Sequence, residues 1–452
     1  MKIPFSHFAK SIDSNLNINE LSDKLFHLGH EHELYDDTFD IEITPNRGDC
    51  LSLNGLLRDL SIFYKTSNEK DIYEKDIEPL SFKFLNNAKD SCSKISFLKV
   101  EIDEVPKNYK HSLNDYFSDL NLQKINFFTD VSNFISYETG QPTHCYDSST
   151  INGPISLNFL KNNCEFETLL NKKLNLQNGD LVFFDKNNEV INLAGIVGGK
   201  TTACNEDTKS VIIECAHFDP EIIIGKSVKY DINSDAAHKF ERGTDPNCHN
   251  FVLRRFLNVI ENHCNIKDVK LYTETYKKDE KKLITFDILK INKILGTQIN
   301  ENDCIEYLQK FGFFINENII QVPSHRNDID SINDICEEVG RAIGYDNIKT
   351  QTIDISLHNN FNLNFEENKI KKLLINKGFY EVINNPFVSY NSEESVTVDN
   401  PLDSNRKYLR TNLKDSLVSN LLFNERRQKD SIKLFEITDL YSNKEGAGKR
   451  AI

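Results

Sequence analysis

Apolar residues at Ile18, Leu21, Leu25 and Leu28 recur at spacings of three and four, the period of one helix face, and Gly29 supplies a stop. The run FDIEIT (39–44) alternates as a strand does, TPNRGDC turns, and Leu53, Leu56, Leu57 and Leu60 mark a second helix. Residues 1–75 therefore read as a small α/β unit, closed by a polar, charged linker over 65–80. From 83 to 275 the texture changes to short strands (SFLKVEI, PISLNF, LVFFD, VINLA, VIIE) between Asn, Asp and Gly clusters, with helices over 123–138 and 247–263. This predicts an α+β domain with its own core. Over 280–350 a strand (LITF) leads to Asp287 as a helix cap, a helix at 302–311, a strand (NIIQV) and a helix from Ser331. The last segment, 355–452, carries an amphipathic helix at 366–377, strand-like VTV and SIKLFEI, and a helix at 412–426. No internal repeat stands out at a fixed period, although the first and third units share a size and texture.

Composition narrows the class. A chain of 452 residues suggests about three domains, and 38% hydrophobic residues with 30 Phe and 16 Tyr exclude disorder as the dominant state. No apolar run reaches the roughly 18 residues of a membrane span and the N-terminus lacks the apolar middle of an export signal, so a soluble, cytoplasmic protein is expected. The final YSNKEGAGKRAI reads as a loop, and the chain is expected to stop inside an element. A net charge of −15 argues against a surface built mainly for nucleic acid. None of the ten cysteines lies closer than eleven residues to another, which speaks against a zinc ribbon or dithiol motif.

Several segments carry candidate chemistry. AGIVGGKT (194–201) has the outline of a phosphate loop, but TTACNEDTKS after it has no helical spacing, so a Gly-rich turn is the better reading. In RNDIDSINDICEEVGRA, a helix from Ser331 would put Asp334, Glu337 and Glu338 on one face, near Asp328, with Ile332, Ile335, Val339 and Ile343 on another. Converging carboxylates suit a hard cation such as Mg²⁺; equally, Ser331 and Asp334 make a capping box. His144 follows Gly140 and Pro142 in TGQPTHCYD, a loop able to present a side chain. Glu214 follows three apolar residues in VIIE, so its carboxylate needs a partner or a function. Ser234 and Asp235 in SDAAHKFERGTDP can cap a turn, and Glu241–Arg242 can be an ordinary ion pair.

In this order, FDIEITPNRGDCLSLNGLLRDLS, TGQPTHCYD, GIVGGK, VIIECAHFDP, SDAAHKFERGTDP, VPSHRNDIDSINDICEEVGRAIGYDNI and NPLDSNRKYLRTNLKDSLVSNLLFNERRQKDSIKLFEI resemble the beta subunit of bacterial phenylalanyl-tRNA synthetase, from residue 1 to about 441. The resemblance implies an α+β multidomain chain: winged-helix-like small units flank an editing domain, and a partial class II synthetase-like antiparallel module follows. In that module Arg410 and Glu436 are not expected to activate amino acid. The family's OB-fold insert is not expected, since Glu33 leads almost directly to the strand at 39, nor is its C-terminal anticodon-binding domain.

The resemblance further implies a division of labour. An alpha subunit binds ATP and phenylalanine and charges tRNA(Phe); the beta subunit braces it in an (αβ)₂ heterotetramer and hydrolyses mischarged Tyr-tRNA(Phe). His144, Glu214 and Ser234 fall at editing positions, Ser234 where many relatives carry Thr. Gly195, Gly198 and Ala236 fall at substrate-binding positions. Asp328, Asp334, Glu337 and Glu338 fall where relatives hold Mg²⁺ in a site shared with the alpha subunit. A non-editing scaffold subunit and a stand-alone nucleic-acid-binding protein are the rival readings.

Overall fold

In the computed structural model, residues 1–12, 16–66, 71–151, 153–278, 280–350, 365–429, 431–443 and 449–452 are described. The backbone divides into two compact units, 1–351 and 352–452.

The chain opens with β1 (Lys2–Pro4), α1 (Phe5–Ser11), α2 (Ile18–His27), β2 (His32–Tyr35), β3 (Thr38–Ile41) and α3 (Leu53–Leu60). The periodic leucines become core: Leu21, Leu25, Leu56, Leu57 and Leu60 are fully buried. Asn17 caps α2 through its side chain and Ser52 caps α3, each satisfying backbone N–H groups that the first turn leaves unpaired. The strand expected over 39–44 ends at Ile41, and β1, α1 and β2 are elements that the hydrophobic pattern did not mark. A two-residue turn joins β2 to β3, with Asp36 at φ +52°.

The middle of the chain builds two five-stranded sheets. β4 (Glu78–Pro79), β6 (Cys92–Ile102), β7 (Thr143–Asp147), β14 (Ser210–Phe218) and β15 (Ile266–Thr275) form one, in the order β4-β15-β6-β14-β7. β5 (Phe84–Asn86), β8 (Ile155–Phe159), β11 (Leu181–Phe184), β12 (Val190–Leu193) and β13 (Val197–Gly198) form the other, in the order β13-β12-β11-β8-β5. β9 (Cys164–Glu167) and β10 (Lys173–Leu176) pair as a hairpin.

The first sheet is a wall between two cores. Leu98, Val100, Val211, Ile213 and Cys215 face a core shared with α4 (His111–Asp119), α5 (Phe127–Thr139), α9 (His249–Glu261) and the N-terminal unit, while the short α6 (Pro220–Ile223) and α7 (Lys226–Tyr230) follow β14. Ile95, Phe97, Tyr146, Ile212 and Ala216 face the second sheet. Because both faces are covered, VIIECA reads as an unbroken apolar run rather than an alternating one, and only Glu214 interrupts it.

Residues 283–343 repeat the N-terminal unit. β16 (Leu283–Thr285), α10 (Ile288–Leu295), α11 (Glu301–Lys310), β17 (Phe314–Asn316), β18 (Ile319–Gln321) and α12 (Ile332–Ile343) follow the same βααββα order. Its sheet order β16-β18-β17 mirrors β1-β3-β2. Arg47, Asp49, Ser52 and Asp59 recur as Arg326, Asp328, Ser331 and Glu338 at one constant offset. The size and texture that these two units share in the sequence thus reflect one common fold, which shows no fixed period because its two copies lie far apart in the chain.

The copies meet through buried charge. Arg47 clasps Asp49 through Nε and Nη2 (2.9 and 3.0 Å) and Asp59 through Nη1 and Nη2 (3.0 and 2.9 Å). Arg326 likewise holds Asp328 at 2.9 Å through Nε and Nη2 and Glu338 at 2.7 Å through Nη1. Arg341 joins the two sets, reaching both oxygens of Glu338 at 2.9 Å with Nη1 and Asp59 with Nη2.

Unit 352–452 holds α13 (Phe365–Asn376), α14 (Lys414–Glu425) and strands β19 (Tyr380–Glu381), β20 (Phe387–Val388), β21 (Tyr408–Leu409), β22 (Leu434–Phe435), β23 (Thr438–Leu440) and β24 (Lys449–Ala451). Among the described residues these strands form three two-stranded pairs, and β19–β22 is parallel, not antiparallel as expected. VTV contributes a single bridge, Thr397 to Tyr408. Arg410 Nη2 donates to Glu436 Oε1 at 2.8 Å inside the unit, a structural ion pair. The expected residues 355–364 lie outside the described set.

Burial alone would raise the Asp59 carboxyl, but the guanidinium groups of Arg341 and Arg47 hold it well below the ordinary carboxylate range. Glu338 is likewise lowered against its burial by Arg341 and Arg326. Stability contributed by this network is therefore present above the ordinary carboxylate range and lost as pH falls below it. Arg341→Ala, which strands two buried carboxylates, is expected to cost about 3–5 kcal/mol. Urea denaturation read through amide exchange in α3 and α12 measures it; a change under about 1 kcal/mol would show that the bridge is incidental.

Candidate functional site

The antiparallel register of β7 and β14 sets Glu214 opposite His144 and Ile212 opposite Tyr146. Side chains two apart on a strand share a face, so His144, Tyr146 and Glu214 all turn towards the second sheet. There β12 and β13 pair Asn192 with Gly198.

The result is a closed polar group inside an apolar gap. Tyr146 Oη donates to Glu214 Oε2 at 2.6 Å, and Asn192 Nδ2 donates to Tyr146 Oη at 2.8 Å and to Glu214 Oε2 at 3.4 Å. The rings of His144 and Tyr146 meet edge-on with centroids 4.5 Å apart. Gly198 makes room for the imidazole: a Cβ there would lie 2.1 Å from His144 Cε1 and 2.6 Å from Nε2. His144 Nε2 is buried without a hydrogen-bond partner.

Burial sets the electrostatics. It pushes the Glu214 carboxyl up to about 7, against the hydrogen bonds from Tyr146 and Asn192 that favour the ionised form. Burial also lowers His144 to about 4, so its imidazole is neutral at physiological pH. The site thus holds one acid that titrates near neutrality beside an uncharged ring.

Of the remaining predicted residues, Ser234 and Gly195 adjoin the segment that carries Gly198, and Ala236 is not part of this group. Ser234 caps α8 (Asp235–Glu241), accepting from Ala237 N at 3.2 Å and donating to the Ile196 carbonyl at 2.7 Å. It fastens the helix to the Gly195–Gly198 turn. Gly195, at φ +69°, lets that turn close against Ile223, Phe218 and Phe240. Ala236 lines a separate cavity of about 620 Å³, with Pro142, Thr143, Ser132 and Lys239. Lys239, lowered by burial to about 8, donates there to the Ser136 carbonyl at 2.5 Å. Within AGIVGGKT a turn (194–196) leads into β13 and then a 3₁₀ segment (Lys200–Thr202), with no α-helix directly after it, in keeping with the reading of a Gly-rich turn.

Tyr146 and Asn192 were not singled out from the sequence. The available signals were a lone amide inside VINLA and a phenol two residues from His144, hence on its face.

Three families match consecutive stretches: the B3/4 domain over 97–265, the tRNA synthetase B5 domain over 284–345, and the phenylalanyl tRNA synthetase beta chain CLM domain over 350–451. The phenylalanine–tRNA ligase beta subunit of Photorhabdus laumondii is 27% identical over 428 residues, covering 89% of this chain and 53% of that protein. That of Fusobacterium nucleatum is 29% identical over 442 residues, covering 92% and 55%. Domain by domain, the chain is similar to the phenylalanyl-tRNA synthetase beta chain. It spans about half the length of the curated relatives it matches. An N-terminal fragment of the phenylalanyl-tRNA synthetase beta subunit from Pyrococcus horikoshii aligns over 76% of this chain and 99% of its own, at 15% identity and a TM-score of 0.43. Among the described residues no helix is long and apolar enough to cross a membrane.

The Mg²⁺ set expected from this family does not fit the carboxylates as they stand. Both oxygens of Asp328 accept from Arg326, and both of Glu338 from Arg341. Asp334 Oδ2 takes the backbone N–H groups of Asp330 and Ser331 (2.9 and 2.7 Å) in a capping box. Asp334, Glu337 and Glu338 lie along one side of the helix as their spacing requires, but Glu337 is exposed while Glu338 is buried against Arg326 and Arg341. The reason is sequence-local: Arg326 and Arg341 flank the acidic run, and an oxygen neutralised by a guanidinium is a poor ligand for a hard cation. Among the described residues, the one cluster with metal-ligating spacing is His30, Cys50 and Asp59. Asp59 there is spent on Arg47 and Arg341, and burial pushes the Cys50 thiol well up, so it stays protonated.

Gly198→Ala is expected to displace the His144 ring, because the nearest atoms belong to the imidazole rather than to a flexible tip. Imidazole NMR resonances of His144 should shift while far-UV circular dichroism stays constant; unshifted resonances would show that the close approach is not a constraint.

Proposed function

We propose that this chain serves as a beta subunit beside a phenylalanine-activating alpha subunit, in an (αβ)₂ assembly that charges tRNA(Phe) with ATP consumed on the alpha side. Its central domain hydrolyses mischarged Tyr-tRNA(Phe). The observation that carries the second statement is the buried Glu214, a carboxyl titrating near neutrality opposite His144 between two sheets.

The need for such a site follows from binding energetics. A pocket shaped for phenylalanine rejects tyrosine by only about 10²-fold, because an added hydroxyl is poorly excluded by apolar walls. A site that demands the hydroxyl reverses the preference, since a buried acceptor left without its partner loses its hydrogen bond and its hydration together. Glu214 is that acceptor, for the phenol or the ammonium group. His144, neutral and with a free Nε2, orients the ester and the attacking water. Water oxygen bonds to the tyrosyl carbonyl carbon, the ester bond to ribose breaks, and the proton ends on the ribose oxygen. Ser234 acts through the Ile196 carbonyl, fixing the Gly195–Gly198 turn against which the ligand lies. The reaction needs no covalent enzyme intermediate.

A scaffold subunit that only braces its partner is separated from this reading by one assay. Assembled with the alpha chain, Glu214→Ala and His144→Ala are each expected to slow clearance of Tyr-tRNA(Phe) by about 10²-fold, with phenylalanine charging retained. Wild-type clearance in both variants would leave the scaffold role alone.

A further inference from the structure

Glu214 is buried between the two sheets and is held there by other side chains. Asn192 Nδ2 can only donate, and it donates to Tyr146 Oη at 2.8 Å. The phenolic proton is thereby directed away from Asn192, along the 2.6 Å contact to Glu214 Oε2. Among the described residues no hydrogen bond reaches Oε1. The carboxylate is thus pinned by one oxygen and left unbonded at the other.

We infer that Tyr146, braced by Asn192, is a positioning residue that fixes Oε2 of Glu214 and leaves Oε1 as the single acceptor for a tyrosyl hydroxyl. The inference deepens the editing reading and rests on it. A freely rotating carboxylate would offer two equivalent oxygens and pay rotamer entropy on binding. Here the torsion is fixed before the ligand arrives, by a ring that is fully buried and packed edge-on against His144. One phenol therefore holds both members of the site: its hydroxyl sets the acid and its ring sets the imidazole.

The surroundings make the hydroxyl contact count. Beside Glu214 on β6 are Phe97, directly opposite in register, and Lys99, opposite Ile212 and half-buried. From β7 come His144 and Tyr146, and from β12 and β13 Asn192 and Gly198. The thiols of Cys92, Cys145 and Cys215 lie within electrostatic reach, and burial keeps each of them protonated. Among the described residues no guanidinium bonds to it, and the ionised form of Glu214 is favoured by the Tyr146 and Asn192 donors.

The test uses this chain assembled with its alpha partner and Tyr-tRNA(Phe) as substrate. Tyr146→Phe keeps the buried ring and removes only the hydroxyl. It is expected to lower kcat/KM for clearance about 10-fold, mainly through KM, as the loss of one hydrogen bond to a charged group implies. It should also move the midpoint of the pH–clearance profile upward, because a donor that favours the carboxylate is gone. Asn192→Ala, which keeps the Tyr146 hydroxyl, should shift both readouts the same way by less, and it stands in if Tyr146→Phe folds poorly. Wild-type kinetics and pH profile in both variants would overturn the inference, and so would faster clearance by Tyr146→Phe, which would make the phenol a competitor for Glu214. Glu214→Gln run alongside separates the two levels. If it slows clearance while Tyr146→Phe does not, the positioning role fails and the editing reading stands. If it too clears at the wild-type rate, the editing reading itself fails.

Discussion

Arg341 is the residue on which the arrangement of the first 351 residues turns. Its guanidinium accepts no substitute partner: one edge meets Asp59 of the N-terminal copy, another meets Glu338 of its own helix, and Nε reaches the Leu28 carbonyl at 2.9 Å. Desolvating this many charges is expensive, and apolar packing could replace them at little loss of stability. What apolar packing could not do is fix which face of α12 meets α3. Two copies of one fold present similar apolar surfaces, and a directional clasp selects one pairing among several. The mirrored pairs, Arg47 with Asp59 and Arg326 with Glu338, make the clasp symmetric, and Arg341, whose equivalent position in the first copy is Ile62, breaks that symmetry.

That clasp also fixes the wall. The N-terminal unit, α5 and α9 share one core with a face of the β4-β15-β6-β14-β7 sheet. With that face filled, every other residue of β14 must point into the gap beneath the second sheet. Strand parity then places Glu214 there beside Ile212 and Ala216, and the register with β7 brings His144 and Tyr146 to the same side. A one-residue slip would exchange Glu214 for Cys215 and bury the carboxylate among Leu98 and Val100 instead. The chemistry of the gap is thus a consequence of packing on the far side of the sheet.

Local rules were legible where a few neighbouring residues decide the outcome. Asp287 accepts from Lys290 N and Ser331 forms a capping box with Asp334, both as the sequence spacing implies. The leucines of α2 and α3 are buried as their periodicity requires. What could not be read was which distant group answers a polar side chain. Glu337 and Glu338 are adjacent and chemically alike, yet one is exposed and the other sits against Arg326 and Arg341. Asn192 and Tyr146 meet only because β12 and β7 belong to facing sheets. The repeat was hard to read for a related reason: it survives in the Arg and carboxylate positions that serve the clasp and in the Ser caps of α3 and α12, while the helices around them share only apolar character.

Two buried acids, Glu338 and Glu214, show how environment sorts structure from chemistry. Both are almost wholly withdrawn from water and both begin with the same burial cost. At Glu338 two guanidinium groups overcome that cost and hold the carboxyl below its ordinary range, so it stays ionised, satisfied and inert across physiological pH. At Glu214 the donors are a phenol and an amide, which carry no net charge and offset burial only in part, leaving the carboxyl at about 7. A group poised there can exist in either form and can exchange one hydrogen-bond partner for another at small cost. Glu338 is therefore committed to holding the fold, whereas Glu214, the one acid in an apolar strand run, is free of any guanidinium bond among the described residues.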